Sequence, residues 1–327
     1  MKRRIVVTML MGVVGMTLLS GCTSSEDLEN EQAYRTIGIN DLNSGEYEDA
    51  ISAFDKALEV RSGSSITNLE IDINYYKALA QYKNGDSDGA IETYTNIIDY
   101  DEETAQAYYL RGNVYLKEDE TEKATADYDL AIKYADNSGE MSNAVATALL
   151  GEDMDEEAKT YLDAVISAGG SSAEDLYNIG NAYYLLEDYD SAITTLTEAK
   201  SSNDDATLLL AEVYLAKGET GNATAEIEEY TSAHSEDGEA LNIAGCVAMQ
   251  NEDYETALSC FQKGLEIEDV DNAQELMKNE IAAYEYAGEF DEAYDLMKEY
   301  LKLYPEDEDA LREQTFLETR VSSDEDE

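Results

Sequence analysis

The sequence predicts an all-α fold: an α-solenoid, a right-handed superhelix of about eight helix-turn-helix repeats with a C-terminal capping helix. The clearest repeat is the stretch 173–199, where apolar residues recur at spacings of three and four on both sides of a turn at 186–188. Gly180 and Ala192 are small residues in the middle of the two stripes, where two helices can cross closely. One hairpin cannot bury both of its apolar stripes, so it needs neighbours like itself.

The same pattern recurs along the chain. With Ala173 in the first place of the unit, small residues occupy the eighth and twentieth places and a large apolar residue the twenty-fourth. Sliding this template gives eight starts, 31 to 40 residues apart, at Glu31, Ile71, Ala105, Gly139, Ala173, Asp204, Gly238 and Gln274. The twentieth place, which partly guided the alignment, is alanine in every unit. The eighth place is an independent check, and it is glycine or alanine in all units except the last, which has Ile281.

The unit resembles the tetratricopeptide repeat, a helix-turn-helix with a period of 34 residues. The resemblance covers 31–307, with departures from the family pattern: tryptophan is absent and the proline that ends a unit survives only as Pro305. The fourth unit, with Ala146 at the eighth place, has few large apolar residues in its first helix. The insertion 61–68 lengthens the first step to 40 residues.

The resemblance implies a concave groove lined by the first helices, at the second, fifth, ninth, twelfth and thirteenth places. Tyrosine rings and amides there can line an extended peptide, although both residue types are also common in such helices. A lysine clamp for a terminal carboxylate, known in chaperone-binding members, is not expected, because the fifth places are mostly tyrosine or neutral. The predicted peptide-binding residues are Tyr75, Tyr82, Tyr109, Asn113, Lys117, Tyr177, Asn181 and Tyr184.

The first 21 residues have the pattern of a cleaved targeting segment, with basic residues at 2–4 and an apolar run at 5–19. Residues 19–22, Leu-Ser-Gly-Cys, resemble the lipobox of bacterial lipoproteins, in which the cysteine thiol takes a diacylglycerol. We therefore expect lipid on Cys22, a polar tether over 22–30, and anchorage on the extracytoplasmic face of a cell membrane or envelope. An ordinary signal peptide with an incidental cysteine is the alternative; the run is too short for a retained membrane helix.

The chain is strongly acidic, with 74 aspartates and glutamates against 21 lysines and arginines and a formal net charge of −53. A charge of this size repels nucleic acid, so no nucleic-acid partner is expected. General solvation of the surface explains it, and a basic partner or bound cations are the functional alternatives.

No catalytic, cofactor or structural zinc motif is present, and His234 is the one histidine. The segment 84–89 resembles the start of a calcium loop, but Thr95 stands where the closing glutamate belongs. We therefore predict no enzyme activity, cofactor or metal. Cys246 and Cys260 fall on the two helices of one unit, and no disulfide is expected between them although an exported protein permits one.

After the repeats, 308–320 is predicted to be the capping helix and 321–327 an acidic disordered tail. The predicted function is a membrane-anchored scaffold that binds proteins or peptides through its groove without catalysis. A glycan-binding envelope lipoprotein is the alternative, because tyrosine rings also stack on sugars. The spread of tyrosines over several units favours the protein-binding interpretation.

Overall fold

The computed structural model describes residues 25–60, 66–268, 270–305 and 307–321. These residues form seventeen α-helices and no strand. The helices are α1 Ser25–Asn43, α2 Tyr47–Glu59, α3 Asn68–Lys83, α4 Ser87–Tyr100, α5 Ala105–Lys117, α6 Thr121–Tyr134, α7 Ser138–Leu150, α8 Asp155–Ala168, α9 Ala173–Leu185, α10 Tyr189–Ala199, α11 Asp205–Lys217, α12 Thr220–Ala233, α13 Gly238–Gln250, α14 Tyr254–Leu265, α15 Ala273–Ala287, α16 Phe290–Leu303 and α17 Glu308–Val321.

The chain forms two compact units, Met1–Val165 and Ile166–Glu327, which divide within α8. In the first unit, α2 packs on α3 and α4 packs on α5, so each of these hairpins packs against the next one in the chain. In the second unit, α10 packs on α11, α12 on α13 and α14 on α15 in the same way. Within each unit the arrangement is that of a solenoid, which confirms the predicted fold class.

The two helices of a hairpin cross where the eighth place faces the twenty-fourth. A Cβ built on Gly112 would lie 2.7 Å from Cε1 of Tyr128, and one built on Gly180 would lie 2.6 Å from Cδ2 of Leu196. Both large side chains are fully buried. Glycine at the eighth place therefore lets the partner side chain fill the space against the helix backbone. In the last hairpin, buried Ile281 stands at the eighth place, in one cluster with Met297.

The turn inside each hairpin contains one residue with a left-handed backbone, always at the fifteenth place. Four hairpins have glycine there, and the other four have an acidic residue with φ near +60°. Glycine adopts this conformation without a steric penalty, whereas a residue with a Cβ is strained in it. The acidic residues are Asp119, Asp153, Glu187 and Glu252.

The capping helix α17 is present and packs on the last hairpin. Ala310 and Leu317 of α17 are buried in a cluster with Ile281, Met297 and Tyr300. At the start of the helix, Asp307 binds the ammonium of Lys278 at 2.7 Å and accepts hydrogen bonds from the hydroxyl of Tyr300 and the backbone N–H of Ala310. These contacts hold the pKa of Asp307 down at about 2 against the opposing effect of burial, which is the largest single influence.

Two boundaries differ from the sequence prediction. Helix α1 begins at Ser25, so the last six residues of the expected tether are helical, and α17 extends to Val321. The predicted targeting segment, Cys22 and the tail at 322–327 lie outside the described residues. Within the described part of the chain, no helix has both the length and the apolar character needed to cross a membrane.

Candidate functional site

The predicted groove residues fall on first helices of both units, as their register requires. In the first unit, Tyr75 and Tyr82 lie on α3, while Tyr109, Asn113 and Lys117 lie on α5. In the second unit, Tyr177, Asn181 and Tyr184 all lie on α9. Lys117 is exposed, and the other seven side chains are partly buried. None is fully exposed apart from that lysine, so most of these residues also belong to the packing of the hairpins.

The fifth-place tyrosines connect one hairpin to the next. The hydroxyl of Tyr75 is hydrogen-bonded at 2.9 Å to that of Thr104, the residue that precedes α5, and its ring lies 6.3 Å from the ring of Tyr94. Burial raises the pKa of Tyr75. A tyrosine on α3 therefore reaches the beginning of the following hairpin.

Tyr109 makes an equivalent reach from α5. Its hydroxyl donates a 3.5 Å hydrogen bond to the carbonyl of Ala144 on α7, and its ring lies 6.2 Å from the ring of Tyr128. Tyr177 packs against the core cluster formed by α10 and α11. Each of these three tyrosines therefore packs at the junction with the following hairpin. Their role in binding stays a prediction.

The remaining candidates also have intramolecular contacts. Asn113 accepts a 2.8 Å hydrogen bond from the hydroxyl of Tyr128, and Lys117 forms an ion pair with Glu152. The ring of Tyr184 lies against that of Tyr189, with centroids 6.3 Å apart. Lys117 is therefore already engaged in an intramolecular ion pair.

Acidic residues on the same helices were not among the predicted site residues. The second place of the unit, in the first turn of each first helix, carries a carboxylate in all four hairpins of the second unit: Glu174, Asp205, Glu239 and Glu275. The ninth place of α11 adds Glu212, a partly buried carboxylate whose pKa is raised by burial. The repeat register was the signal that could have found this row.

Few positive charges are left to balance these carboxylates. Most of the described lysines and arginines are already ion-paired; for example, Arg111 binds Asp127 with two hydrogen bonds of 2.7 and 2.8 Å. On the first-helix side of the second unit, Lys278 is held by Asp307. The row of second-place carboxylates therefore faces solvent with an excess of negative charge.

The two cysteines are free thiols in the structure, on α13 and α14 of one hairpin. Burial raises the pKa of each thiol to about 11. Cys260 is buried, and Cys246 accepts a 3.6 Å contact from the amide of Asn279 on α15. A raised pKa leaves little thiolate, which is the nucleophilic form of cysteine.

Three comparisons bear on the family. Models of the tetratricopeptide repeat match residues 75–140, 176–206 and 238–271. A DnaJ homolog subfamily C member 3 homolog from Dictyostelium discoideum is 26% identical over 113 residues, which is 35% of this chain and 22% of that protein. The chain thus spans less than a quarter of that relative.

Two solved structures are similar to this chain at low sequence identity. A tetratricopeptide repeat protein from Parabacteroides merdae is 16% identical with a TM-score of 0.41, over 77% of this chain and 99% of that one. PilW, described as a type IV pilus biogenesis factor, is 17% identical with a TM-score of 0.37, over 65% of this chain and 99% of that one. The matched repeat models coincide with hairpins described above, and the chain contains tetratricopeptide repeats over those residues.

Proposed function

We propose that this protein is a membrane-anchored, extracytoplasmic scaffold that binds a basic protein segment along the first helices of its repeats, without catalysis. The observation that carries the proposal is the row of second-place carboxylates in the second unit, which lies on an open helix face beside half-buried aromatic and apolar side chains. Charge complementarity selects the partner and accelerates encounter more than it adds affinity. Tetratricopeptide repeats point to a protein partner in general, and the negative charge of this row of carboxylates favours a basic segment of that partner.

The geometry of the row suggests how a partner would lie. Neighbouring packed helices are separated by about 8–10 Å, and an extended chain advances about 3.3 Å per residue. A segment that crosses successive first helices would therefore meet one carboxylate for every third residue. Lysine or arginine at that spacing is the best match to Asp205, Glu239 and Glu275.

Membrane anchorage is supported by the sequence around Cys22, where basic residues, an apolar run and a small-residue box occur in the order of a lipoprotein signal. Replacing Cys22 by alanine should cause precursor to accumulate and should abolish partitioning into detergent. A Cys22→Ala protein that is processed and membrane-bound like the parent would contradict the anchor.

Binding can be tested by photocrosslinking in the native envelope. A photoreactive residue at Glu275, in the first turn of α15, should capture a protein partner, whereas the same residue at Glu292, in the first turn of α16, should not. Both positions are exposed and both lie on the last hairpin. Equal adducts from the two positions, or none from Glu275, would count against the first-helix face.

The charge of the interface can then be tested on the captured partner. Asp205→Asn with Glu275→Gln should weaken capture by about fivefold at low salt, since exposed ion pairs contribute about 0.2–1 kcal/mol each. The matched control, Asp291→Asn with Glu292→Gln, removes the same charge from the first turn of a second helix. A similar loss in both double variants would indicate non-specific attraction to an acidic protein.

The alternative of a glycan-binding lipoprotein requires exposed ring faces that can stack on sugars. Tyr75 and Tyr109 are half-buried with their hydroxyls engaged in the next hairpin, which leaves little ring surface for a platform. This placement favours the protein partner.

A further inference from the structure

The interface between the capping helix and the last hairpin contains two carboxyl groups that face each other. Glu285 lies in the last turn of α15, and Glu313 lies in the second turn of α17. Glu313 is the neighbour whose charge and hydrogen-bonding side chain act on Glu285, which places the two carboxyl groups next to each other. Two carboxyl groups can share a hydrogen bond only if one of them carries a proton.

The position of Glu285 makes its ionised form costly. Its Oε1 atom is buried and has no hydrogen-bond partner among the described residues. No basic residue occupies the last turn of α15, and the negative end of the helix dipole is found there. Burial, followed by the charge of Glu313, raises the pKa of Glu285 to about 7.

The surrounding elements supply no cation to Glu285. On α17, Arg312 is paired with Asp309, and the guanidinium of Arg320 lies over the rings of Phe290 and Phe316. The charged group that influences the pKa of Glu285 is Glu313. Other titratable or charged side chains lie near α15. They are Glu239 and Cys246 from α13, Tyr254, Glu255, Lys263 and Glu266 from α14, Glu289 from the turn before α16, Tyr300 from α16, and Asp307 before α17.

We propose that α17 is a proton-dependent cap: Glu285 and Glu313 share one proton across the interface, and α17 docks more tightly when that proton is bound. A carboxyl whose pKa is raised on docking stabilises the docked state at low pH, and this contribution is lost as the pH rises through about 7. The contact of Lys278 with Asp307 does not change over this range, because the pKa of Asp307 is about 2. The start of α17 is therefore held throughout, while the later turns respond to the proton.

Loosening of α17 would uncover the apolar surface beneath it. Leu317 is fully buried against the cluster that contains Ile281, Met297 and Tyr300. A terminal repeat needs a cap because its apolar face has no further neighbour. Release of the proton from the pair would thus expose an apolar surface at the C-terminal end of the second unit at neutral and alkaline pH.

Hydrogen exchange of the full chain can test this directly. Protection of the α17 amides, corrected for intrinsic exchange, should fall by about tenfold between pH 5.5 and pH 8.5. The full pKa shift would give a larger change, but Glu285 is partly solvated, so the effect of its charge on docking is reduced. Amides of α13 in the same samples should change little, which separates the cap from general charge repulsion.

Isosteric variants identify the groups responsible. Glu285→Gln and, separately, Glu313→Gln should each keep α17 protected at pH 8.5 and flatten the pH dependence. Glu292→Gln removes one exposed negative charge from α16 and should behave like the parent. Equal protection of α17 at both pH values in the parent, or an unchanged pH dependence in both glutamine variants, would overturn the proposal.

Discussion

Replacing Gly112 by alanine should destabilise the first unit even though alanine is the better helix former. The new Cβ would lie 2.7 Å from Cε1 and 2.9 Å from Cδ1 of Tyr128, closer than such atoms approach in real structures. The ring cannot easily retreat, because Tyr128 is fully buried and its hydroxyl is held by Asn113. Overpacking costs about 1–3 kcal/mol, and alanine returns about 1 kcal/mol of helix propensity. The expected net loss is therefore at most about 2 kcal/mol.

Urea unfolding followed by circular dichroism measures this loss on the full chain. Gly221→Ala is the matched control, because its Cβ would have nothing within 4 Å and Gly221 lies in helix α12. That variant should be more stable than the parent by about 0.5–1 kcal/mol. The same substitution at the two glycines should therefore change the free energy of unfolding in opposite directions.

A second substitution tests whether contact with the ring of Tyr128 causes the destabilisation expected for Gly112→Ala. In the fourth hairpin, Ala146 at the eighth place faces Leu162, and both are fully buried. Tyr128→Leu should therefore make alanine at position 112 tolerable, so that the double variant loses at least about 1 kcal/mol less than the sum of the two single changes. Stabilisation by Gly112→Ala, or strict additivity with Tyr128→Leu, would refute the packing explanation.

Three further predictions concern other sites. Glu187→Gly should stabilise the second unit by about 1 kcal/mol in urea unfolding, because glycine relieves a left-handed backbone with φ of +63°; a loss of stability would contradict this. Alkylation of Cys246 and Cys260 at pH 8 should be at least about tenfold slower in the folded protein than in denaturant, since their pKa values of about 11 leave little thiolate; comparable rates by mass spectrometry would argue against burial. Arg111→Met should cost about 3 kcal/mol by leaving the buried carboxylate of Asp127 without its partner, and a loss under about 1 kcal/mol would show that water replaces the guanidinium.

The fold was predictable because the repeat places a small residue at every crossing. Gly180 and Ala192 mark one crossing, and their counterparts recur at the same spacing in the other hairpins. The exception at Ile281 was visible in the sequence, but its reason was not. It shares a buried cluster with Met297, a flexible side chain that fits beside a larger partner.

The candidate site was less predictable. Register placed the tyrosines on first helices correctly, but it could not show that Tyr75 and Tyr109 reach Thr104 and Ala144 in the following hairpins. Contacts between repeats depend on the direction and reach of long side chains. The spacing of residues along one helix does not give this information. The pairing of Lys117 with Glu152 was hidden for the same reason.

Residues 22–30 are predicted from their polar composition to be a tether before the first repeat. The structure continues α1 back to Ser25, which adds almost two turns of helix before the first repeat. Polar composition identifies a segment that has no apolar stripe to bury, but acidic and amide residues are also good helix formers. The boundary of an amphipathic pattern is therefore not the boundary of the helix.

The left-handed turn positions show how far the acidity of this chain extends. Asp119, Asp153, Glu187 and Glu252 occupy backbone conformations that glycine adopts in the other four hairpins. Each of these residues has a strained backbone conformation and adds an acidic side chain to a hairpin turn. Within each unit, these acidic turns add to the negative charge that repels a second copy of the protein. The hairpin turns of this protein therefore contribute to its solubility as well as reversing the direction of the chain.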